Sequence, residues 1–252
     1  MSAALLVAAC GHDRPRAAAT SSAPSAAPTT TTSTSTTTTT TTAPTTSSTT
    51  TSTAPRTTTT AEPPPAPYQY SVAEVTAADL GASWHEGCPV DPSDLRMLTL
   101  TFINFDDQEQ TGQVVVNAAV VDQVVRAFRQ IYEARFPIRK MKPIFTQAEY
   151  EDFETPDDNS TGFSCRNAVN DSGSPSWSLH AYGKAIDINP IENPYNDNGH
   201  VIPSRGAEYM DRDNVRPGMA TSDSALVRAF RSVGWGWGAS FEDYQHFSTN
   251  GR

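Results

Sequence analysis

The sequence predicts an α+β domain, and three observations predict it. A strictly alternating stretch, a polar turn and a valine run read as a pair of antiparallel strands. Two later stretches carry apolar residues at helical spacing, one after Asn117 and one after Ser222. Short apolar runs around Ala185 to Ile188 and Tyr244 to Phe247 supply further strands. The expected arrangement is a small antiparallel sheet with helices packed against it.

The chain divides into three parts before any of these elements begins. Residues 1–10, MSAALLVAAC, are apolar and end in Val7-Ala8-Ala9-Cys10. Small residues before a cysteine resemble a bacterial lipoprotein signal, in which that cysteine is lipidated. No basic residue precedes the short apolar core, which leaves a start further upstream open. Residues 11–67 form the second part, and between Thr20 and Thr60 more than half of the residues are threonine. Such a segment has almost nothing to bury against its ordering entropy. It reads as an extended, disordered stalk and a candidate for O-glycosylation, closed by the stiff run Glu62-Pro63-Pro64-Pro65. Residues 68–252 are the folded domain, a sensible size for one core.

Charge excludes one class of partner. Residues 1–67 hold Arg14, Arg16 and Arg56 against Asp13 and Glu62, a net of +1; the whole chain carries −10, so the domain carries −11. That argues against nucleic acid, which calls for a basic face. Three cysteines remain to be placed. Cys10 belongs to the signal, and in an exported protein Cys88 and Cys165 are most simply a disulfide. Cys165 as a metal ligand is the rival reading.

Within the domain Leu98-Thr99-Leu100-Thr101-Phe102 alternates as a half-buried strand does. Polar residues from Asp106 to Gly112 make a turn, and Val114-Val115-Val116 supplies the partner strand. Asn117 is a candidate N-cap. Val120, Val124, Phe128 and Ile131 then recur on one helical face to about Arg135, a stripe read as core. Phe136-Pro137-Ile138 is a short extended piece. A long polar region, Thr146 to Pro175, follows; loops of that length are usually functional or partly ordered. Further on, Ser222 caps a second helix with Ala225, Leu226, Ala229, Phe230 and Val233 inward and Gly234 as its stop.

The stretch Ser178 to Asn189, SLHAYGKAIDIN, carries the chemistry. Ala185, Ile186 and Ile188 read as a buried strand with Asp187 inside it, and a carboxylate there is costly unless paired or bound to a metal. Gly183 permits a tight turn ahead of that strand, which lets His180 fold back beside Asp187. An imidazole and a carboxylate converging in this way suit zinc, and such a site needs a third ligand from elsewhere. A surface histidine and a turn-capping aspartate remain the plain alternative for these two residues alone.

Ser178 to Asp187 has the pattern Ser-x-His-x-x-Gly-x-Ala-x-Asp, and Asp243 lies three residues before His246 near the end. This combination resembles the VanY-type zinc D-alanyl-D-alanine carboxypeptidases, a family that includes L-alanyl-D-glutamate endopeptidases. Phe163-Ser164-Cys165-Arg166, Asn193-Pro194-Tyr195 and Gly234-Trp235-x-Trp237-Gly238 fit one subgroup of it. The resemblance spans roughly Leu98 to Phe247. It implies a hedgehog/DD-peptidase-like α+β fold, with a small central sheet, flanking helices and the metal in a surface cleft. It implies Zn2+ as cofactor, held by His180, Asp187 and His246, with Asp243 as the general base that takes a proton from the attacking water. Glu242 is the neighbouring competitor; on a strand only one of the two faces the metal. Arg166 is the candidate for the substrate carboxylate or an oxyanion, its plain alternative being an ion pair with an acid such as Asp171. Ser178 is a candidate ligand-orienting or substrate-binding residue, and Tyr182, Trp235 and Trp237 are candidates to line the cleft.

The expectation is therefore an extracytoplasmic, lipid-anchored or secreted monomer that hydrolyses the peptidoglycan stem peptide as a D-alanyl-D-alanine carboxypeptidase. Endopeptidase cleavage after L-alanine is the alternative activity. A zinc-containing binding module without catalysis, as in hedgehog signalling domains, is the alternative of another class, and Asp243 speaks against it.

Overall fold

Leu98, Leu100 and Phe102 turn one way along their strand, and this alternation places all three in the main apolar core. The computed structural model describes residues 67–151, 158–168 and 176–252. The signal segment with Cys10, the stalk, Asp171 and parts of the polar region before the central stretch lie outside the described residues.

The first sheet is antiparallel in the order β1-β2-β3, with β1 at Tyr70–Glu74, β2 at Leu95–Ile103 and β3 at Glu109–Asn117. Leu98 faces Val114 and Leu95 faces Asn117 across β2 and β3. The valine run of β3 is buried on both faces. Val114 and Val116 enter the main core, while Val115 joins a second cluster with Leu80, Leu95, Phe163 and Cys165. Leu80 ends the short helix α1 (Ala77–Leu80), which Thr76 and Asp79 start with a reciprocal capping box. Strand β1 has no pattern to betray it, since all five of its residues are exposed.

Asn117 caps as expected: its side chain accepts from the Ala119 backbone N–H at 3.0 Å. A single 3₁₀ turn intervenes before helix α2 (Val121–Glu133), which buries Val124, Phe128 and Ile131 against the sheet. Beyond it, Ile138 N–H donates to the Ile103 carbonyl at 2.8 Å, so the extended piece lies along β2. Strand β4 (Lys140–Met141) pairs in parallel with β5 (Asn159–Ser160), and α3 (Gln147–Glu151) lies between them in sequence. The described part of the polar region thus holds a helix and a strand.

A second antiparallel sheet carries the chemistry-bearing residues. Its order is β6 (Ala185–Asp187), β10 (His246–Ser248) and β9 (Gly236–Trp237). A small hairpin, β7 (Tyr195–Asp197) with β8 (His200–Ile202), follows β6 in the chain. Helix α4 (Ala225–Ser232) is capped by Ser224, whose side chain accepts from Val227 N–H at 3.2 Å, rather than by Ser222.

The described residues are thus mixed α/β with small, mostly antiparallel sheets and a few helices, but in place of the expected single central sheet there are two three-stranded sheets and two two-stranded ones. The second three-stranded sheet cannot grow along β6, because Asn189 takes a left-handed conformation (φ 47°) and Pro190 has no N–H to give. Phe247 stacks on Phe230 of α4 at 4.5 Å, and Phe230 meets Phe128 of α2 edge-on at 6.1 Å. Burying Phe247 and its partner across the strands, Ile186, contributes roughly 1.5–3 kcal/mol for each side chain. This packing holds the second sheet from behind and leaves its other face to the cleft. Among the described residues no helix is long and apolar enough to cross a membrane.

Candidate metal centre and cleft

Strand alternation sorts β6 and β10 into core and cleft residues. Ile186 and Phe247 face each other in the core, so their neighbours Asp187 and His246, also direct partners, face each other on the opposite side. His180 reaches the same place from a 3₁₀ segment, Leu179–Tyr182, whose first backbone N–H groups Ser178 caps. Gly183 ends that segment at φ 64°, and a Cβ there would run into the Asn117 amide and Leu95. Only glycine serves both the turn and the approach. Asn117 N–H then donates to the Gly183 carbonyl at 2.8 Å, tying the turn to the end of β3.

The three side chains meet at equal spacing. His180 Nε2 lies 3.1 Å from Asp187 Oδ2, His246 Nδ1 lies 3.1 Å from Asp187 Oδ1, and the two nitrogens are 3.1 Å apart. Each imidazole has its other nitrogen engaged with a backbone carbonyl. His180 Nδ1–H donates to Gly162 at 2.6 Å, and His246 Nε2–H donates to Arg252 at 3.1 Å. In the neutral rings this leaves a lone pair on each inward nitrogen, and two lone pairs 3.1 Å apart need something positive between them. Ligands about 2.0–2.1 Å from a tetrahedral zinc stand roughly 3.3 Å from one another. The trio fits such an ion.

The electrostatics favour the ligand form of two of the three groups, His180 and Asp187, and without a metal oppose it at His246. Burial lowers the pKa of His180 despite the nearby Asp187 carboxylate, which favours the neutral ligand form. Burial works against ionising Asp187, but the two histidines outweigh it and hold its carboxyl below the usual range. For His246 burial is again opposed, and Asp187 raises its pKa.

Asp243 lies at the wall of the same cleft, its Oδ1 buried without a hydrogen-bond partner. Burial, and next the charge of Asp187, push its carboxyl up to about 7, against the pull of His246 and Arg166. Glu242 faces away. It is exposed and left-handed (φ 58°), and its carboxylate accepts from Asn196 Nδ2 at 2.6 Å. The two acids diverge as expected, but through a 3₁₀ terminus at Glu242 rather than strand alternation.

The cleft encloses about 800 Å³, and its lining includes Arg166 and Ser178 besides Asp243 and the trio. Arg166 is half-buried, close enough to bias both His180 and Asp243. The disulfide Cys88–Cys165, with Cα atoms 5.8 Å apart, anchors the chain immediately before it. Both sulfurs are committed there, which removes the reading of Cys165 as a ligand. His85 beside them completes a second group of ligand-type atoms that the disulfide occupies.

Of the aromatic candidates, Tyr182, Trp235 and Trp237 are not among the lining residues. Trp235 is buried with its indole N–H on Gln123 Oε1 at 2.9 Å, and Trp237 donates to the Tyr244 carbonyl at 2.8 Å. Both indole N–H groups are thus bonded to half-buried residues rather than presented to the cleft. Trp177, Tyr195 and Phe241 line the cleft instead, with Glu149 and His200. Tyr195 had a signal in Asn193-Pro194-Tyr195; the others carried none.

Residues 172–249 match the family model described as D-alanyl-D-alanine carboxypeptidase. The matched span contains His180, Asp187, Asp243 and His246 and stops short of Arg166. It supports a peptidase. No curated protein and no solved structure matched the chain.

Proposed function

We propose that this protein is an exported zinc peptidase that hydrolyses the peptidoglycan stem peptide, with removal of the terminal D-alanine as its activity. The observation that carries the proposal is the convergence of His180, Asp187 and His246 at 3.1 Å spacings beside the unpartnered Oδ1 of Asp243, all inside the span that matches the carboxypeptidase family.

When bound, zinc would supply a Lewis acid for the scissile carbonyl and make water acidic enough to attack near neutral pH. The rest falls to the chain. His180 and His246 are held in register by the Gly162 and Arg252 carbonyls, so the ligand geometry is set before metal or substrate arrives. Asp243, whose carboxyl burial raises above the ordinary carboxylate range, is suited to take a proton from the attacking water and return it to the departing amine. Arg166 offers a guanidinium for the free carboxylate of a C-terminal D-alanine or for the developing oxyanion. The walls of Trp177, Tyr195 and Phe241 bury the flanking peptide and exclude water. The disulfide supports an oxidising compartment, in keeping with export and with a lipid anchor at Cys10.

The test is incubation of the purified, zinc-loaded protein with a defined pentapeptide stem, with products read by mass. Loss of one terminal alanine supports carboxypeptidase action. A fragment cut after L-alanine assigns the endopeptidase activity instead, and an intact peptide favours the binding module.

A further inference from the structure

Next to Asp187, on the side away from β10, lies Thr161. The two residues exchange both backbone hydrogen bonds, Thr161 N–H to Asp187 O at 3.0 Å and Asp187 N–H to Thr161 O at 2.9 Å. Residues that pair in this way stand directly opposite, with side chains on one face and Cβ atoms about 4.5–5.5 Å apart. Thr161, Asp187 and His246 therefore form one row across three adjacent segments, all facing the cleft. The Thr161 hydroxyl is buried and has no hydrogen-bond partner. A buried hydroxyl left unpaired is costly. It needs an acceptor.

The Asp187 carboxylate is an acceptor on the same face. Its oxygens each lie 3.1 Å from the inward nitrogen of a histidine, Oδ1 from His246 and Oδ2 from His180. With a cation between those nitrogens both lone pairs are turned to it, and a carboxylate oxygen not bound to the cation has no hydrogen bond from either ring. Thr161 brings the unused donor on the same face. We propose that Thr161 is a positioning residue for the metal site: its hydroxyl donates to the free oxygen of Asp187 and holds the carboxylate in its ligating orientation. The inference rests on the reading of His180, Asp187 and His246 as a metal centre.

The experiment is competition for zinc against a chromogenic chelator, with thermal melting of the metal-free and zinc-loaded forms. Thr161→Val keeps the shape and removes the donor. It should lose about 10–100-fold in zinc affinity, the usual scale for a partner of a ligand. Its metal-free melting temperature should stay at or above that of the unsubstituted protein, while the rise on adding zinc shrinks. Thr161→Ser should bind within about threefold of the unsubstituted protein. If Thr161→Val does not fold, Thr161→Ser against Thr161→Ala makes the same comparison, since both lack the methyl and differ only in the hydroxyl. Equal zinc affinity with and without the hydroxyl overturns the inference and leaves the metal centre standing. A protein with Thr161 intact that takes up no zinc overturns both.

Discussion

Asp243 and Glu242 are adjacent acids in opposite environments, one at the cleft with a buried, unpartnered oxygen and one exposed on Asn196. Asp243→Asn should retain zinc and the fold yet lose about 10²–10⁴-fold in turnover of the stem peptide, the usual scale for a general base. Glu242→Gln should change turnover little; steady-state rates for the two variants check both statements. A second carboxyl pair lies outside the cleft lining. Asp158 and Glu192 are buried together beneath Arg139, and Ile191 N–H donates to Asp158 at 2.8 Å. Burial, then Glu192, push the Asp158 carboxyl up to about 8 despite Arg139. An acid whose pKa rises on folding keeps its proton in the native state while the unfolded chain loses it. Its contribution is therefore fully present below about pH 4 and is lost as pH rises towards 8. Asp158→Asn supplies a permanent donor to Glu192 and should flatten that slope and raise stability at pH 8; denaturant midpoints at pH 5 and 8 measure it. The single-residue features were unevenly legible. His180, Gly183 and Asp187 are close in sequence and chemically distinctive, so their pattern could be read. The Gly162 and Arg252 carbonyls that orient the histidines are backbone atoms, and no side chain announces them.

At the scale of elements, the β6–β10 pair is what turns a local motif into a site. Its register brings Asp187 opposite His246 while Ile186 and Phe247 fill the core behind. The strands themselves were legible as short apolar runs, but their pairing was available only through the resemblance, because three-residue strands carry too little alternation to specify a partner. β1 and the bridge at Thr161 gave no signal at all: the first is wholly exposed, and the second rests on one residue pair. The turn before β6 is the most sensitive joint. Gly183→Ala would force a side chain into a left-handed position and against the end of β3. It should cost about 1–3 kcal/mol from backbone strain, or more with the clash, and lower zinc occupancy as His180 shifts. Denaturant midpoint and metal content of the variant test the two parts separately.

For the molecule as a whole, two apolar clusters flank the first sheet, and the disulfide, whose Cys165 belongs to the second of them, closes a loop of 77 residues. In the chain-entropy model such a loop contributes roughly 4–5 kcal/mol, less any native strain. Reduction should lower the denaturant midpoint accordingly, and thiol labelling of the unreduced, unfolded protein should find neither Cys88 nor Cys165 free. The α+β class was readable because the β2–β3 hairpin and the two helices have strong periodicity; the division into two three-stranded sheets was not, because it depends on where Asn189 and Pro190 stop a strand. Everything proposed for the cleft depends on the trio holding a metal. The direct measurement is elemental analysis after equilibration with zinc, for the unsubstituted protein and for His180→Ala with its fold verified by circular dichroism. The account predicts one zinc per chain in the first and none in the second. One zinc per chain in folded His180→Ala would contradict it.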